Sequence, residues 1–145
     1  MHQAQWSPER PLPPPVSLLI GIAWSLPAVA QSAPRKYLSA ASNNATLVKA
    51  GASRITSILA VNTGAAVYFL KLYDKATSPV CGTDIPVITI PVPFLASNAG
   101  TVLLENSTGL NFRNGVGFCL TGGIADNDNS NAAAGVAINL GVTGQ

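Results

Sequence analysis

The sequence is poor in charged residues and almost without histidine, and each shortage excludes a class of function. Charged side chains make up 10% of the 145 residues, against about 25% in an ordinary soluble domain. The single histidine is His2, so the body of the chain cannot form a histidine-dependent catalytic triad or a histidine-ligated zinc site. Hydrolysis by paired carboxylates would need two acidic residues to converge, and each candidate is more simply a turn or strand-end residue: Asp74, Asp84, Glu105, Asp126 and Asp128. We expect no enzyme, no metal and no cofactor.

The balance of charge also argues against a nucleic-acid partner. From Ser39 onward the chain has five basic residues (Lys49, Arg54, Lys71, Lys75 and Arg113) and five acidic ones, so the body carries no basic excess to meet phosphates. The surplus of positive charge lies near the N-terminus, at Arg10, Arg35 and Lys36.

The chain has two cysteines, Cys81 and Cys119. Two interpretations stay open. They form a disulfide, which requires an oxidising compartment, or they are small buried apolar residues.

Residues 1–42 are predicted to be an irregular extension. A proline-rich start is followed by Val16–Ala30, VSLLIGIAWSLPAVA, which is too short for a transmembrane helix and is interrupted by Pro27. We therefore expect no membrane partner. Ala28-Val29-Ala30 fits the small-x-small pattern of a signal peptide cut before Gln31. A start codon assigned too far upstream and an arm that packs on a neighbouring subunit are the other two interpretations.

The body is organised around Ala65–Phe94, which reads as strand, turn and strand. In an extended chain Tyr68, Leu70 and Leu72 share one face. The opposite face carries Val67, Phe69, Lys71 and Tyr73. This second face is either a subunit contact or a second core layer with Lys71 at its rim.

Short strand candidates recur about every ten residues, and no amphipathic helix is evident. They cover residues 45–50, 54–62, 66–74, 86–92, 100–105, 110–113, 116–120 and 135–142. This spacing predicts an all-β protein, an antiparallel β-sandwich of jelly-roll type over residues 43–145. The predicted core contains Leu70, Leu72, Ile88, Ile90, Phe118, Ile138 and Leu140.

Turn residues and prolines predict how some of these strands connect. Asn62-Thr63-Gly64 is short enough for an antiparallel hairpin between the second and third candidates. Asn106–Gly109 is expected to separate two short strands. Three prolines, Pro86, Pro91 and Pro93, place the 86–92 strand at a sheet edge, since proline cannot donate to a central ladder.

The run Asp126–Asn131 offers alternating oxygen ligands and resembles the start of a calcium loop. It departs from that pattern at the sixth position, Asn131 instead of glycine, and at the twelfth, Ala137 instead of glutamate. A solvated loop is the favoured interpretation.

Three blocks in order resemble small, largely uncharacterised proteins of tailed bacteriophages and prophages. They are KLYDKA at 71–76, GTDIP with its TIPVP continuation at 82–93, and TGGIAD at 121–126. The resemblance spans about Asn43 to the C-terminus. It implies a virion component: a capsid decoration or cement protein that binds the major capsid protein as a homotrimer on the particle surface. The alternative is a secreted or cell-surface β-sandwich that binds carbohydrate or another partner, as the signal-like segment suggests.

Overall fold

The protein is an all-β jelly roll. The computed structural model describes residues 32–95 and 100–144, and within these ranges every regular element is a strand. The strands are β1 (Ala33–Leu38), β2 (Thr46–Ala50), β3 (Ser53–Asn62), β4 (Tyr68–Asp74), β5 (Ile88–Val92), β6 (Gly100–Phe112), β7 (Gly115–Thr121) and β8 (Val136–Gly144).

The strands form two antiparallel sheets of four. The first sheet has the order β1-β8-β3-β6 and the second the order β2-β7-β4-β5. Strands therefore pair as first with last, second with seventh, third with sixth and fourth with fifth. A long hairpin rolled over on itself gives this order, which is that of a jelly roll. The predicted sandwich is confirmed.

The core lies between the sheets, because every second side chain along a strand points to the same face. Six of the seven predicted core residues are buried, and Ile88 is partly buried against the same cluster. The rings of Tyr37 and Phe118 meet edge to face with centroids 5.1 Å apart, which ties β1 of the first sheet to the second sheet.

The sandwich begins earlier than the sequence indicates. β1 pairs with β8 from Ala33 to Leu38, within the range that we assigned to the extension. Its residues are exposed except for a half-buried Tyr37, so an edge strand rich in proline and charge shows almost no hydrophobic alternation. Residues 1–31, which carry the signal-like segment, lie outside the described residues.

The predicted hairpin between β3 and β4 is wrong, because these strands lie in different sheets. The buried Asn62 side chain stabilises the segment in which the chain passes from the first sheet to the second. Its Nδ2 donates to the carbonyls of Ala66 (2.8 Å) and Val92 (3.1 Å), and its Oδ1 accepts from Gly64 N at 2.8 Å. One side chain thus forms hydrogen bonds with three backbone groups near the end of β3.

The predicted break at Asn106–Gly109 is an excursion within one long strand, β6. The register with β3 shifts between Ile55 and Ser57, and Asn106 Oδ1 accepts from the backbone N–H of Thr108 at 3.0 Å. The proline prediction holds, since β5 is the edge of the second sheet. No helix in the described residues is long and apolar enough to cross a membrane.

Candidate functional site

The outer face of the second sheet is covered by the chain's own loops. Lys71 and Tyr73 on β4 and Cys119 on β7 point away from the core, yet none of them has exposed surface. Two loops, residues 75–87 and 122–131, pass over this face, and we call them the roof. The subunit-contact interpretation therefore fails for Lys71 and Tyr73, because the roof already covers them.

The other two residues of the predicted contact are half-buried, namely Val67 and Phe69. For them the contact stays a prediction. The alternative of a second core layer describes this face better, since Tyr73, Cys81 and Cys119 form a small cluster separate from the main core. Lys71 lies inside this layer and not at its rim.

Lys71 anchors the second roof loop from below. Its Nζ donates to the carbonyl oxygens of Ala125 (2.5 Å) and Asp128 (3.0 Å). Burial lowers the pKa of Lys71, and the carboxylates of Asp128 and Asp126 oppose that shift. A buried ammonium is costly unless it is hydrogen-bonded, and here two backbone carbonyls of the loop meet that need.

The Asp126–Asn131 loop is closed on itself. The Asp128 Oδ1 accepts from the N–H of Gly123 and Ser130, both at 3.1 Å, and from the Ser130 hydroxyl at 2.7 Å. The Ser130 hydroxyl is the main cause of the lowered pKa of Asp128. No group of three histidine, cysteine or acidic side chains gathers as metal ligands in the described part of the chain. The cation that this loop binds is the Lys71 ammonium.

An ion pair fixes the first roof loop. Lys75 Nζ donates to Asp84 Oδ2 at 2.5 Å, and the same oxygen accepts from Val80 N at 2.7 Å. The Lys75 hydrogen bond is the main cause that lowers the pKa of Asp84. The two partners are about one third and one quarter exposed, so the pair lies at the margin of the roof.

A disulfide joins the first roof loop to the sheet below it. Cys81 is bonded to Cys119 of β7, with 6.0 Å between their Cα atoms. Of the two interpretations of the cysteines, the structure shows the disulfide. Such a bond persists where the environment is oxidising, as it is outside cells and on virions.

The two roof loops also contact each other. Gly82 has a φ of +80°, and a Cβ there would lie 2.8 Å from the carbonyl oxygen of Asn127 and 2.9 Å from Cβ of Asn129. Only glycine fits this backbone conformation and this approach. Beneath the roof, a Cβ on Gly117 would lie 2.8 Å from Cδ of the buried Pro79.

The roof carries four exposed large apolar side chains, which lie among exposed polar ones such as Thr83 and Asn127. Ile85 is 79% exposed, and Val80, Val87 and Ile124 are each more than half exposed. Exposed apolar side chains mark an interaction site where they form a contiguous patch, and binding residues are common on loops held by a rigid scaffold. The charged side chains of the roof and of the sheet below it, such as Lys71 and Asp84, form bonds that hold the loops in place. The Tyr73 hydroxyl is buried without a hydrogen-bond partner.

The three sequence blocks, residues 71–76, 82–93 and 121–126, contribute to this one face. Lys71–Ala76 supplies the anchor and one partner of the ion pair, 82–86 supplies Gly82 and Asp84, and 121–126 supplies the carbonyl of Ala125. Sequence reasoning found the blocks and not what they do together. The pair of cysteines was the one signal that could have connected the loop to β7.

A scan against models of protein families finds no match to this chain, and a search of curated proteins finds no significant match either.

Proposed function

We propose that the protein is a structural component of a tailed-bacteriophage particle, a decoration protein that binds the major capsid protein. The observation that carries the proposal is the roof. The blocks that resemble phage proteins build much of it, and they contain three of its four exposed apolar side chains, Ile85, Val87 and Ile124. The jelly roll supports the proposal at the level of fold, since viral capsid domains use it.

The roof is suited to attachment because it is ordered before it binds. A disulfide, an ion pair and a buried ammonium fix its loops, so little conformational entropy is lost on contact with a shell. Few charges are exposed there, and exposed ion pairs contribute only about 0–1 kcal/mol each. Apolar burial, at about 25 cal/mol per Å², is therefore the main contribution.

The test begins with a mass-spectrometric inventory of purified particles of the encoding phage. The proposal expects hundreds of copies per particle. A few copies would place the protein on the tail, and none would refute a virion role.

A second measurement asks whether the roof is the contact. I85D places a charge on the roof and should strip the protein from particles, whereas L95D changes an equally apolar exposed residue outside the roof and should not. Equal retention of both variants would exclude the roof. Wild-type decoration should survive about 1 M salt, where the Debye length is about 3 Å.

A secreted binding module is the second candidate, favoured by one specific observation. A cut before Gln31 would leave the described sandwich whole, because its first strand begins at Ala33, and export would supply the oxidising conditions for the disulfide. Protein recovered from culture medium with Gln31 as its first residue would support this candidate over the virion.

A further inference from the structure

Among the described residues, nearly all the outward side chains of the first sheet are exposed or half-buried. Three rows of paired residues run across it, from β1 through β8 and β3 to β6. They are Leu38, Ala137, Val61 and Thr101, then Lys36, Asn139, Leu59 and Leu103, then Pro34, Gly141, Ser57 and Glu105. Leu38 is 71% and Leu103 58% exposed. An open groove of about 440 Å³ runs over the lower two rows.

We propose that this face is a two-fold interface between two copies of the chain. The proposal is independent of the virion role. Within the three rows ten of the twelve residues are uncharged, and the remaining two are Lys36 and Glu105. They lie on opposite edge strands and differ in sign, which is the arrangement that a self-complementary surface needs.

The charges select one orientation of the two copies. A two-fold axis parallel to the strands lays β1 of one copy over β6 of the other. Lys36 then lies one row, about 7 Å along the strand, from Glu105 of the second copy, and the contact occurs twice. An axis across the strands would instead bring Lys36 against Lys36, which repulsion disfavours.

The face is large enough for a specific dimer. Four strands about 4.8 Å apart and about seven residues long at about 3.4 Å each give a flat area of about 450 Å² per copy. A corrugated surface exceeds its flat projection, so two copies bury about 1,000 Å² or more, the lower limit of a specific interface.

A charge-reversal cycle on the full chain, read by sedimentation velocity over a range of concentrations, tests the proposal. We expect a concentration-dependent dimer. K36E and E105K each create two like-charge contacts and should weaken it by about tenfold or more, while the double variant K36E/E105K restores opposite signs and should recover most of the affinity. K49E makes the same charge change on the second sheet and should leave the dimer intact.

Cross-linking gives a second readout that does not depend on affinity. With a short bismaleimide, K36C/E105C should give covalent dimers and K36C alone should not, since the two copies of residue 36 lie about 14 Å apart across three strand spacings. Circular dichroism confirms that each variant is folded. A protein that stays monomeric, a trimer as the resemblance implies, a double variant no tighter than the single ones, or dimers from K36C alone would each overturn the proposal.

Discussion

The two sheets are built alike on the inside and differently on the outside. Each has four antiparallel strands and gives one face to the common core. The outer face of the second sheet places Lys71, Tyr73 and Cys119 at zero exposure beneath the roof, whereas the outer face of the first leaves Leu38 and Leu103 in solvent. A polar outward residue is thus no guide to exposure, because backbone carbonyls from a loop can cover it. The outer face of the second sheet is covered from within the chain, and the outer face of the first sheet is the one that we propose a second copy covers.

Of the interactions that hold the roof on the second sheet, the disulfide should contribute most to the free energy of unfolding. The bond closes a loop of 38 residues, for which chain entropy predicts a stabilisation of about 4 kcal/mol. C81A/C119A should lower the free energy of unfolding by about that amount in denaturant titrations. Wild-type protein in reductant should match the variant, and an unchanged midpoint would show that the roof does not depend on the bond.

Loss of the buried Lys71 ammonium should have the second largest effect on the free energy of unfolding. K71M keeps the length of the side chain but leaves the carbonyls of Ala125 and Asp128 without their donor, at a cost of about 3 kcal/mol. K49M is the matched control, because the Lys49 Nζ also donates to two backbone carbonyls but belongs to a side chain that is only partly buried. It should cost under about 0.5 kcal/mol. Equal effects of the two substitutions would mean that the roof does not need its anchor.

The contact between the two roof loops can be separated from backbone strain with two glycines. Gly82 and Gly51 share a φ of +80°, but only Gly82 has atoms within reach of an added Cβ. G51A should cost about 1 kcal/mol for conformation alone. G82A should cost about 1–2 kcal/mol more, since the carbonyl of Asn127 must move. Thermal unfolding of both variants measures the difference, and equal costs would argue against tight packing of the loops.

The smallest effect should be that of the ion pair, and it should depend on pH. Hydrogen bonding to Lys75 lowers the pKa of Asp84, so its stabilisation is present above the unfolded-state pKa and is lost as the pH falls through the lower folded-state pKa. D84N should cost about 1 kcal/mol near neutral pH, and its difference from wild type should vanish in acid. K75M/D84N should cost little more than D84N. A difference that grew on acidification would contradict this account.

The inner half of the fold could be predicted from the sequence, and the outer half could not. Alternation along β4, β7 and β8 identified the core, and prolines identified β5 as an edge, since both signals are local. The roof depends on bonds between residues far apart in the chain, such as Lys71 with Ala125 and Cys81 with Cys119. A local sequence pattern carries no information on such long-range pairs. β1 was missed because its residues are mostly exposed and charged, so they show no hydrophobic alternation. The passage of the chain from one sheet to the other after Asn62 was missed because a short turn normally makes a hairpin.

Lysine labelling with an acylating reagent, followed residue by residue by mass spectrometry at low and high protein concentration, tests the central contrast most directly. The roof predicts that Lys71 reacts far more slowly than Lys49 at every concentration, because it is covered within its own chain. The proposed two-fold contact on the outer face of the first sheet predicts that Lys36 reacts freely in dilute protein and becomes protected only as copies associate. Lys71 labelled as fast as Lys49 in the native, oxidised protein would contradict the roof, and Lys36 unprotected at the highest concentration would contradict the two-fold contact.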